Sequence, residues 1–475
     1  MTGGERKQIH LNLFEMNCVS HITHGMWVHP DNTRHRFNDL SFWLELAQLL
    51  EYGTFDAMFL ADVTGTYDGF RDGHETSVTE GMQIPSNDPL MVIPAMAAVT
   101  SRLGFAATFS TTYEPPFSFA RRMSTLDHLT AGRVGWNVVT SYLPNAARNF
   151  GYDGEIEHDH RYERADEYLD VAYKLWEGSW EDDAVLADRE RRIYADPAKV
   201  HYINHSGPYY KVSGPHLCEP SPQRTPVIYQ AGVSDAGRRF AGKHAEAIFI
   251  GGQSIEQVAF FAADIRRLAR SEGRDEGDIK FFPCVNIIVG RDDAEVAAKV
   301  REYERLRSVE GYLAHRMSQI DWTRYPRSET VGAIAGRGEN GFDRILHQYQ
   351  PEQTVGEVLD GLGALGRPFT AAGTPGAVAD RLEEWVDHAG VDGFNLIQHL
   401  TPGTARDVIE LVIPELRRRG RYRASYDDDP GPTLRERLFG PGQARLKPTH
   451  PGARYRDPAA LAGADGATRR GAGAM

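Results

Sequence analysis

Cysteine is scarce in this chain: Cys18, Cys218 and Cys284 are the only three in 475 residues. An odd number set so far apart excludes a disulfide framework, fits no zinc-type spacing and suits a reducing compartment. Long apolar runs are lacking too. No stretch approaches the roughly 18 to 20 residues of a membrane helix, mean hydropathy is -0.46, and residues 1–8 are polar and charged, without the apolar core of a signal peptide. The expectation is a soluble, cytoplasmic protein with no membrane partner. An excess of basic charge is also missing. With 53 Lys+Arg against 66 Asp+Glu the formal charge is -13, which repels nucleic-acid phosphate, and no basic patch interleaved with aromatics offsets it. No repeat of solenoid or propeller period occurs. No G-x-G-x-x-G follows an apolar run, so the fingerprint of a dinucleotide site is absent.

The composition that is present, 41% hydrophobic, 25% charged and 10% aromatic, is that of a globular protein. Short apolar runs rich in β-branched and aromatic residues fall at 9–14, 57–61, 104–109, 134–139, 227–230, 247–250, 281–289 and 394–398. Segments of helical periodicity separate them at 39–51, 89–100, 116–129, 162–176, 234–243, 255–271, 293–305 and 374–389. Repeated βα units with eight strands predict an α/β fold, a (β/α)8 TIM barrel. The intervals 140–226, after the fourth strand, and 303–372, after the seventh, are too long for simple connections and are expected to shape the active site. Residues 1–421 are assigned to this barrel. Residues 422–475, rich in Pro, Gly, Arg and Asp, are assigned to a C-terminal surface tail.

Polar residues at the ends of these strands are the candidates for chemistry. Cys18, His21 and His24 follow the first strand; they suit a catalytic pocket, a packed cysteine with surface histidines, or, least well, a metal site lacking a fourth ligand. Asp62 and then Tyr67 follow the second strand, where a carboxylate can accept a ligand N–H or cap a turn. Ser110 and Thr111 follow the third. Asn137 lies inside the fourth, where a buried amide needs a partner. After the fifth strand, Gly232 and Ser234 open a helix with free N–H groups and Arg238 nearby, suited to a phosphate or to a plain helix cap. Tyr162 stands in the His-rich run 157–162, and His315 in the second insertion is a residue that titrates near neutral pH.

The stretches Phe14-Glu15-Met16-Asn17-Cys18-Val19, Phe59-Leu60-Ala61-Asp62-Val63, Ser124-Thr125-Leu126-Asp127-His128-Leu129-Thr130, Gly132-Arg133-Val134-Gly135-Trp136-Asn137 and Cys218-Glu219-Pro220-Ser221-Pro222-Gln223-Arg224 resemble the bacterial-luciferase-like flavin monooxygenases. The resemblance lies within their nitrilotriacetate, pristinamycin-synthase and dibenzothiophene-sulfone monooxygenase branch and is greatest to its alkane-oxidising members. It implies a barrel that binds FMN noncovalently, received reduced from a separate, transiently bound NAD(P)H-dependent flavin reductase, and that oxygenates an apolar substrate with O2. That substrate would be an alkane, an organosulfur compound or a halogenated aromatic. By resemblance, Asp62, Tyr67, Asn137 and Tyr162 contact the flavin with Ser110 or Thr111 near its ring, and Gly232 and Ser234 hold its phosphate. Cys18, His21, Gln83 and His315 line the catalytic pocket, and Phe14, Met16, Trp27 and Tyr142 form the substrate side. A homodimer or homotetramer is expected and no metal. The chain departs from the alkane-oxidising members at Tyr142, where they carry histidine, and at Arg316-Met317-Ser318, where they carry Tyr-Gly-Gly. The alternatives are a noncatalytic flavin-binding barrel and a metal-dependent barrel hydrolase.

Overall fold

Parallel strands covered on both faces read as short, continuously apolar segments, and the computed structural model places the strands where such segments occur. It describes residues 7–252, 254–318, 320–337, 349–362, 369–428 and 431–462. In chain order the strands are β1 (His10–Met16), β2 (Ala57–Ala61), β3 (Gly104–Ser110), β4 (Val134–Val139), the small hairpins β5/β6 (Val185–Asp188, Ile193–Ala195) and β7/β8 (His205–Ser206, Lys211–Val212), β9 (Val227–Ala231), β10 (Ala247–Phe249), β11 (Lys280–Phe282), β12 (Cys284–Val289), β13 (Thr370–Gly373) and β14 (Gly393–Ile397). The principal sheet is parallel throughout, in the order β11-β10-β9-β4-β3-β2-β1-β14-β12-β13.

The segment expected as one strand at 281–289 is two, because Pro283 has no N–H to continue a ladder. β11 pairs with β10, whereas β12 pairs with β14 and β13. Asp392 N donates to Phe281 O at 2.9 Å and Asn395 N to Pro283 O at 2.9 Å, which lays the same segment along β14. The ring therefore has eight strand positions, that of a TIM barrel. β13 lies outside it on the edge of β12; its residues, Thr-Ala-Ala-Gly, carry no apolar run and gave no strand signal.

Side chains alternate across the barrel wall as strand geometry requires. Leu11 and Leu13 of β1 join an outer core with Trp43, Leu46 and Leu50 of the helix Leu40–Tyr52. Phe14 instead joins the barrel interior with Phe59, Ala106, Val227, Tyr229 and Ile397. A separate apolar core stands over the C-terminal end of the barrel. It is built from the β2–β3 connection (Tyr67, Phe70, Met82), the first insertion (Leu143, Ala146) and the second (Tyr312, Leu313, Trp322, Val331, Val358).

The expected surface tail is corrected for residues 422–428 and 431–462. Leu434 and Leu438, on the helix Leu434–Phe439, enter the barrel interior from its N-terminal end. Arg435 Nε donates to Glu246 Oε1 at 2.7 Å and its Nη2 to Thr225 O at 2.8 Å; Arg437 Nη1 donates to Asp56 O at 2.7 Å, and Arg423 Nη2 to Asp56 Oδ1 at 2.5 Å. Burial alone would raise the Asp56 carboxyl, but Arg423 and His10 hold it well below the usual range. Composition misled because the polar residues of the tail are paired inside rather than solvated. Residues 463–475 lie outside the described residues.

Leu434, fully buried, should cost about 2–5 kcal/mol when replaced by alanine. Arg435→Met leaves Glu246 buried without its cation and should cost about 3–5 kcal/mol. Denaturant titration of both variants measures these losses.

Candidate active site

At the C-terminal end of β9 the chain turns through Gly232 at φ +147° and enters the helix Asp235–His244, with Ser234 as its cap. Ser234 Oγ accepts from Gly237 N at 3.1 Å. A Cβ on Gly232 would stand 3.1 Å from the Tyr162 hydroxyl and 3.0 Å from Gln230 Nε2. One on Gly237 would stand 3.0 Å from the same hydroxyl and 3.1 Å from Ser234 Oγ. Two glycines thus keep clear a space onto which two hydroxyls and the positive end of a helix converge, an arrangement suited to a phosphate. His158 Nε2 lies 3.4 Å from Ser234 Oγ at its rim. Arg238, expected beside this space, points elsewhere: it is bonded to Asp264, Asp235 and Val233 O.

From this space a cleft of about 280 Å3 runs across the ends of β2, β3 and β4. Of the expected residues, Asp62, Ser110, Tyr142 and Tyr162 line it; Thr108, Ser141, His158 and Arg161 line it as well. Asn137 Nδ2 donates to Thr108 Oγ1 at 2.8 Å, while its Oδ1 is buried without a hydrogen-bond partner. An acceptor left so is costly, about 1–3 kcal/mol, unless a ligand donates to it. Burial, with Asp88 repelling it, pushes the Asp62 carboxyl up to about 8 against the bond from Val63 N. Ser110 Oγ accepts from Ser141 Oγ at 2.8 Å. Thr111 is corrected: it is buried, its hydroxyl bonds Val139 O at 3.3 Å, and it ties β3 to β4 rather than lining the cleft. Arg161 escaped sequence reasoning. Its Nη1 donates to Ser141 O at 2.7 Å and to Glu155 at 3.2 Å, and its neighbour Tyr162 carried the only signal. Thr108 was legible in principle, two residues before Ser110 and so on the same strand face.

Beyond the cleft a histidine pair joins the two ends of the site. Gly25, at φ +90°, lets the loop after β1 approach the second insertion so closely that a Cβ would lie 2.2 Å from Leu306 O. Ser308 N then donates to His24 O at 2.9 Å and starts the helix Val309–His315. His24 Nε2 meets His315 Nδ1 at 2.9 Å, and Gln83 Nε2 meets His315 Nε2 at 3.3 Å. Because Gln83 Nε2 also lies 2.9 Å from His21 O, which can only accept, its amide is the donor. His315 Nε2 therefore accepts, His315 Nδ1–H donates to His24 Nε2, and the His24 proton sits on Nδ1, 3.4 Å from Ser20 Oγ. Tyr67 stands edge-on to His315 at 5.1 Å, and its hydroxyl bonds that of Tyr142 at 2.5 Å, linking the pair to the cleft. The replaced run 316–318 turns back onto the helix end, with Met317 N on Ala314 O and Ser318 N on Leu313 O.

Other expected residues fall differently. Cys18 is wholly buried, and burial pushes its thiol well up, so it is a neutral thiol and no thiolate nucleophile. The His21 ring packs on Phe14 at 4.4 Å. Phe14 is barrel core, touching Phe59 and Phe249, and Met16, two residues on, is buried on the same face. Trp27 is corrected: it is 39% exposed and lies outside the cleft. Among the described residues no group of three or more His, Cys, Asp or Glu side chains is placed to hold a metal, so His21, His24 and Asp62 do not form the set a hydrolase needs.

The Asp62 carboxyl supplies a pH test. Its folded value lies above its ordinary 3.8, so the folded state holds the proton more tightly, and stability should fall as pH rises from 3.8 to about 8 and then level off. Asp62→Asn, which imitates the neutral acid, should flatten that dependence. Melting temperatures of both proteins across this range should diverge with rising pH, and parallel curves would contradict the assignment.

The family described as luciferase-like monooxygenase matches the chain over residues 16–424. The chain is 54% identical over 455 residues to the long-chain alkane monooxygenase of Geobacillus thermodenitrificans, covering 95% of this chain and 98% of that protein. It is 47% identical over 458 residues to the dimethyl-sulfide monooxygenase of Hyphomicrobium sulfonivorans, covering 95% and 94%. Among solved structures, that of a long-chain alkane monooxygenase superposes with a TM-score of 0.87 at 54% identity, covering 95% of this chain and all (100%) of that one. A riboflavin lyase solved with a modified FMN and its substrate riboflavin gives 0.84 at 39% identity, covering 95% and 100%. With a match over most of its length and relatives this similar, the chain belongs to the luciferase-like monooxygenase family.

Proposed function

We propose that this protein is the oxygenase of a two-component system, binding reduced FMN from a separate flavin reductase and oxygenating a small or long apolar substrate with O2. The observation that carries it is a cleft that adjoins the phosphate cradle at Tyr162 and His158 and is lined at Thr108 by the bond partner of Asn137, whose buried amide oxygen has no partner. Tyr162, Ser234 and the N–H groups after Gly232 would hold the phosphate, and Asn137, Asp62 and Ser110 would face the ring. Asn137 Oδ1, an acceptor without a donor, fits the N–H edge of a flavin. Reduced flavin supplies the activation of O2 and the delivery of one of its atoms.

The chain supplies position, dryness and protons. The apolar core around Tyr67, Tyr312 and Trp322 covers the barrel mouth and excludes water. His315 is held through Nδ1 by His24, and its Nε2, met only at 3.3 Å by Gln83, would be the atom that takes a proton beside the Tyr67–Tyr142 pair when the Gln83 bond gives way. Tyr142, in place of a histidine, puts a neutral phenol at the cleft, its hydroxyl bonded to that of Tyr67. The similarity to enzymes named for alkanes and for dimethyl sulfide supports an apolar substrate. A noncatalytic flavin-binding barrel has no use for the His24–His315–Gln83 arrangement, and this counts against it.

The deciding experiment incubates the protein with reduced FMN, O2 and a panel of n-alkanes, dialkyl sulfides and chlorinated aromatics, and analyses products by mass spectrometry. Oxygenated product from at least one class is expected, and none from any would overturn the reading. The isolated chain should not consume NADH. Ser234→Ala should weaken reduced FMN by about 1.5–3 kcal/mol; a pure helix cap would instead lose about 1 kcal/mol of stability with FMN affinity unchanged. His315→Ala should cut turnover about 10²- to 10⁴-fold with little change in FMN affinity. His24→Ala should cut it about 10²-fold by freeing His315, and His24→Gln, which keeps an acceptor, should recover part of it.

A further inference from the structure

Below the phosphate cradle the outer face of β9 carries an amide among apolar side chains. Gln230 stands opposite Val138 of β4 and is 1% exposed. Because side chains alternate along a strand, it shares its face with Ile228, which belongs with Val138 and Phe240 to the apolar core between sheet and helices. An amide in such a place needs partners at both ends. It has one: Nε2 donates to Ala231 O at 2.9 Å, while Oε1 is buried without a hydrogen-bond partner. Ala231 O can only accept, so the amide cannot be turned about to satisfy its oxygen instead.

A leucine would fill this place without leaving an acceptor unpaired, so what the amide contributes is its second Nε2 hydrogen. Nε2 stands 3.0 Å from the point where a Cβ on Gly232 would be, and the Tyr162 hydroxyl 3.1 Å from the same point. Both therefore border the space that the glycines keep clear. Burial raises the Tyr162 hydroxyl, which keeps its proton, and the Ser234 and Gln230 side chains hydrogen-bond it. With Arg238 committed to Asp264 and Asp235, the side chains bordering that space are two hydroxyls and one amide. A hydroxyl strengthens the hold on an anion only when its proton faces the anion, and its lone pairs must then meet a donor elsewhere. Ser234 has such a donor in Gly237 N. At Tyr162, Ser234 can donate or accept whereas an amide nitrogen can only donate, so Gln230 sets the direction.

We propose that Gln230 is a positioning residue of the flavin phosphate site: its Nε2 donates to the Tyr162 oxygen and so turns the Tyr162 proton toward the phosphate. The assignment rests on the proposed reduced-FMN site, and its test does not need turnover. Gln230→Leu removes the donor and suits the apolar face around it. Gln230→Met takes its place should the leucine variant fail to fold. Tyr162→Phe removes the hydroxyl on which Gln230 acts.

The experiment is anaerobic titration calorimetry of the full chain with reduced FMN and with reduced riboflavin, which lacks the phosphate. The wild type is expected to bind reduced FMN more tightly; equal binding would overturn the cradle and with it the part of Gln230. Gln230→Leu should weaken reduced FMN about tenfold, the scale of one hydrogen bond, and leave reduced riboflavin within about twofold. Groups that act through one another do not add their effects. In the Tyr162→Phe background, Gln230→Leu should therefore change reduced FMN affinity by less than about twofold. A loss in that background as large as in the wild type, or an equal loss for riboflavin, would overturn positioning through Tyr162. So would unchanged FMN affinity in a folded Gln230→Leu variant. Where the flavin affinities behave as expected and no substrate class yields oxygenated product, the oxygenase reading falls and the role of Gln230 stands.

Discussion

A ring of parallel strands satisfies its backbone only if each N–H and C=O meets a neighbour, and at Pro283 one donor does not exist. The chain answers by dividing one strand position between two partners, β10 before the proline and β14 after it. The ring still closes at its base, where Phe281 O and Pro283 O accept from the β14 side. Higher up it parts. Two openings in the mouth follow: a cleft over β2 to β4, where the ladder is continuous and Asp62 and Arg161 enter the lining, and a groove over β10 to β12, where it is not.

The other half of the site depends on contacts across sequence. His24 and His315 are 291 positions apart, and what brings them together is the left-handed turn at Gly25, where a side chain would collide with Leu306. The pairing fixes which nitrogen of His315 carries the proton, because Gln83 is itself fixed by a carbonyl that can only accept. A chain of such one-way choices gives the hydrogen bonds from Gln83 through His315 to His24 a single direction.

Strands were legible because a parallel sheet buries both faces and leaves an unbroken apolar signature, and a strand end followed by Asp62, Ser110 or Ser234 marks the catalytic rim of a barrel. Asn137 was legible as an amide in an apolar strand. The contact of His24 with His315 was not, since neither residue's surroundings encode the other. Arg161 gave no signal of its own in the run 157–162, and for Cys18 the sequence left a pocket residue and a packed thiol both open until its burial decided for the second. β13 has no apolar residues larger than alanine. Above all, the segment after Arg421 reads as surface by composition, because sequence shows arginines but not the carboxylates they meet.

That last segment bears on how the protein is made. Leu434 and Leu438 fill the base of a barrel whose first strand lies more than 400 residues earlier. During synthesis the strands emerge before the piece that closes their interior, and Asp56 and Glu246 emerge before the arginines that neutralise them. The nascent barrel therefore holds an unfilled floor, Asp56 with His10 but not Arg423, and Glu246 without Arg435, until those residues have been made. Domains generally fold as units during synthesis, and here the barrel becomes whole only once the helix Leu434–Phe439 has been made.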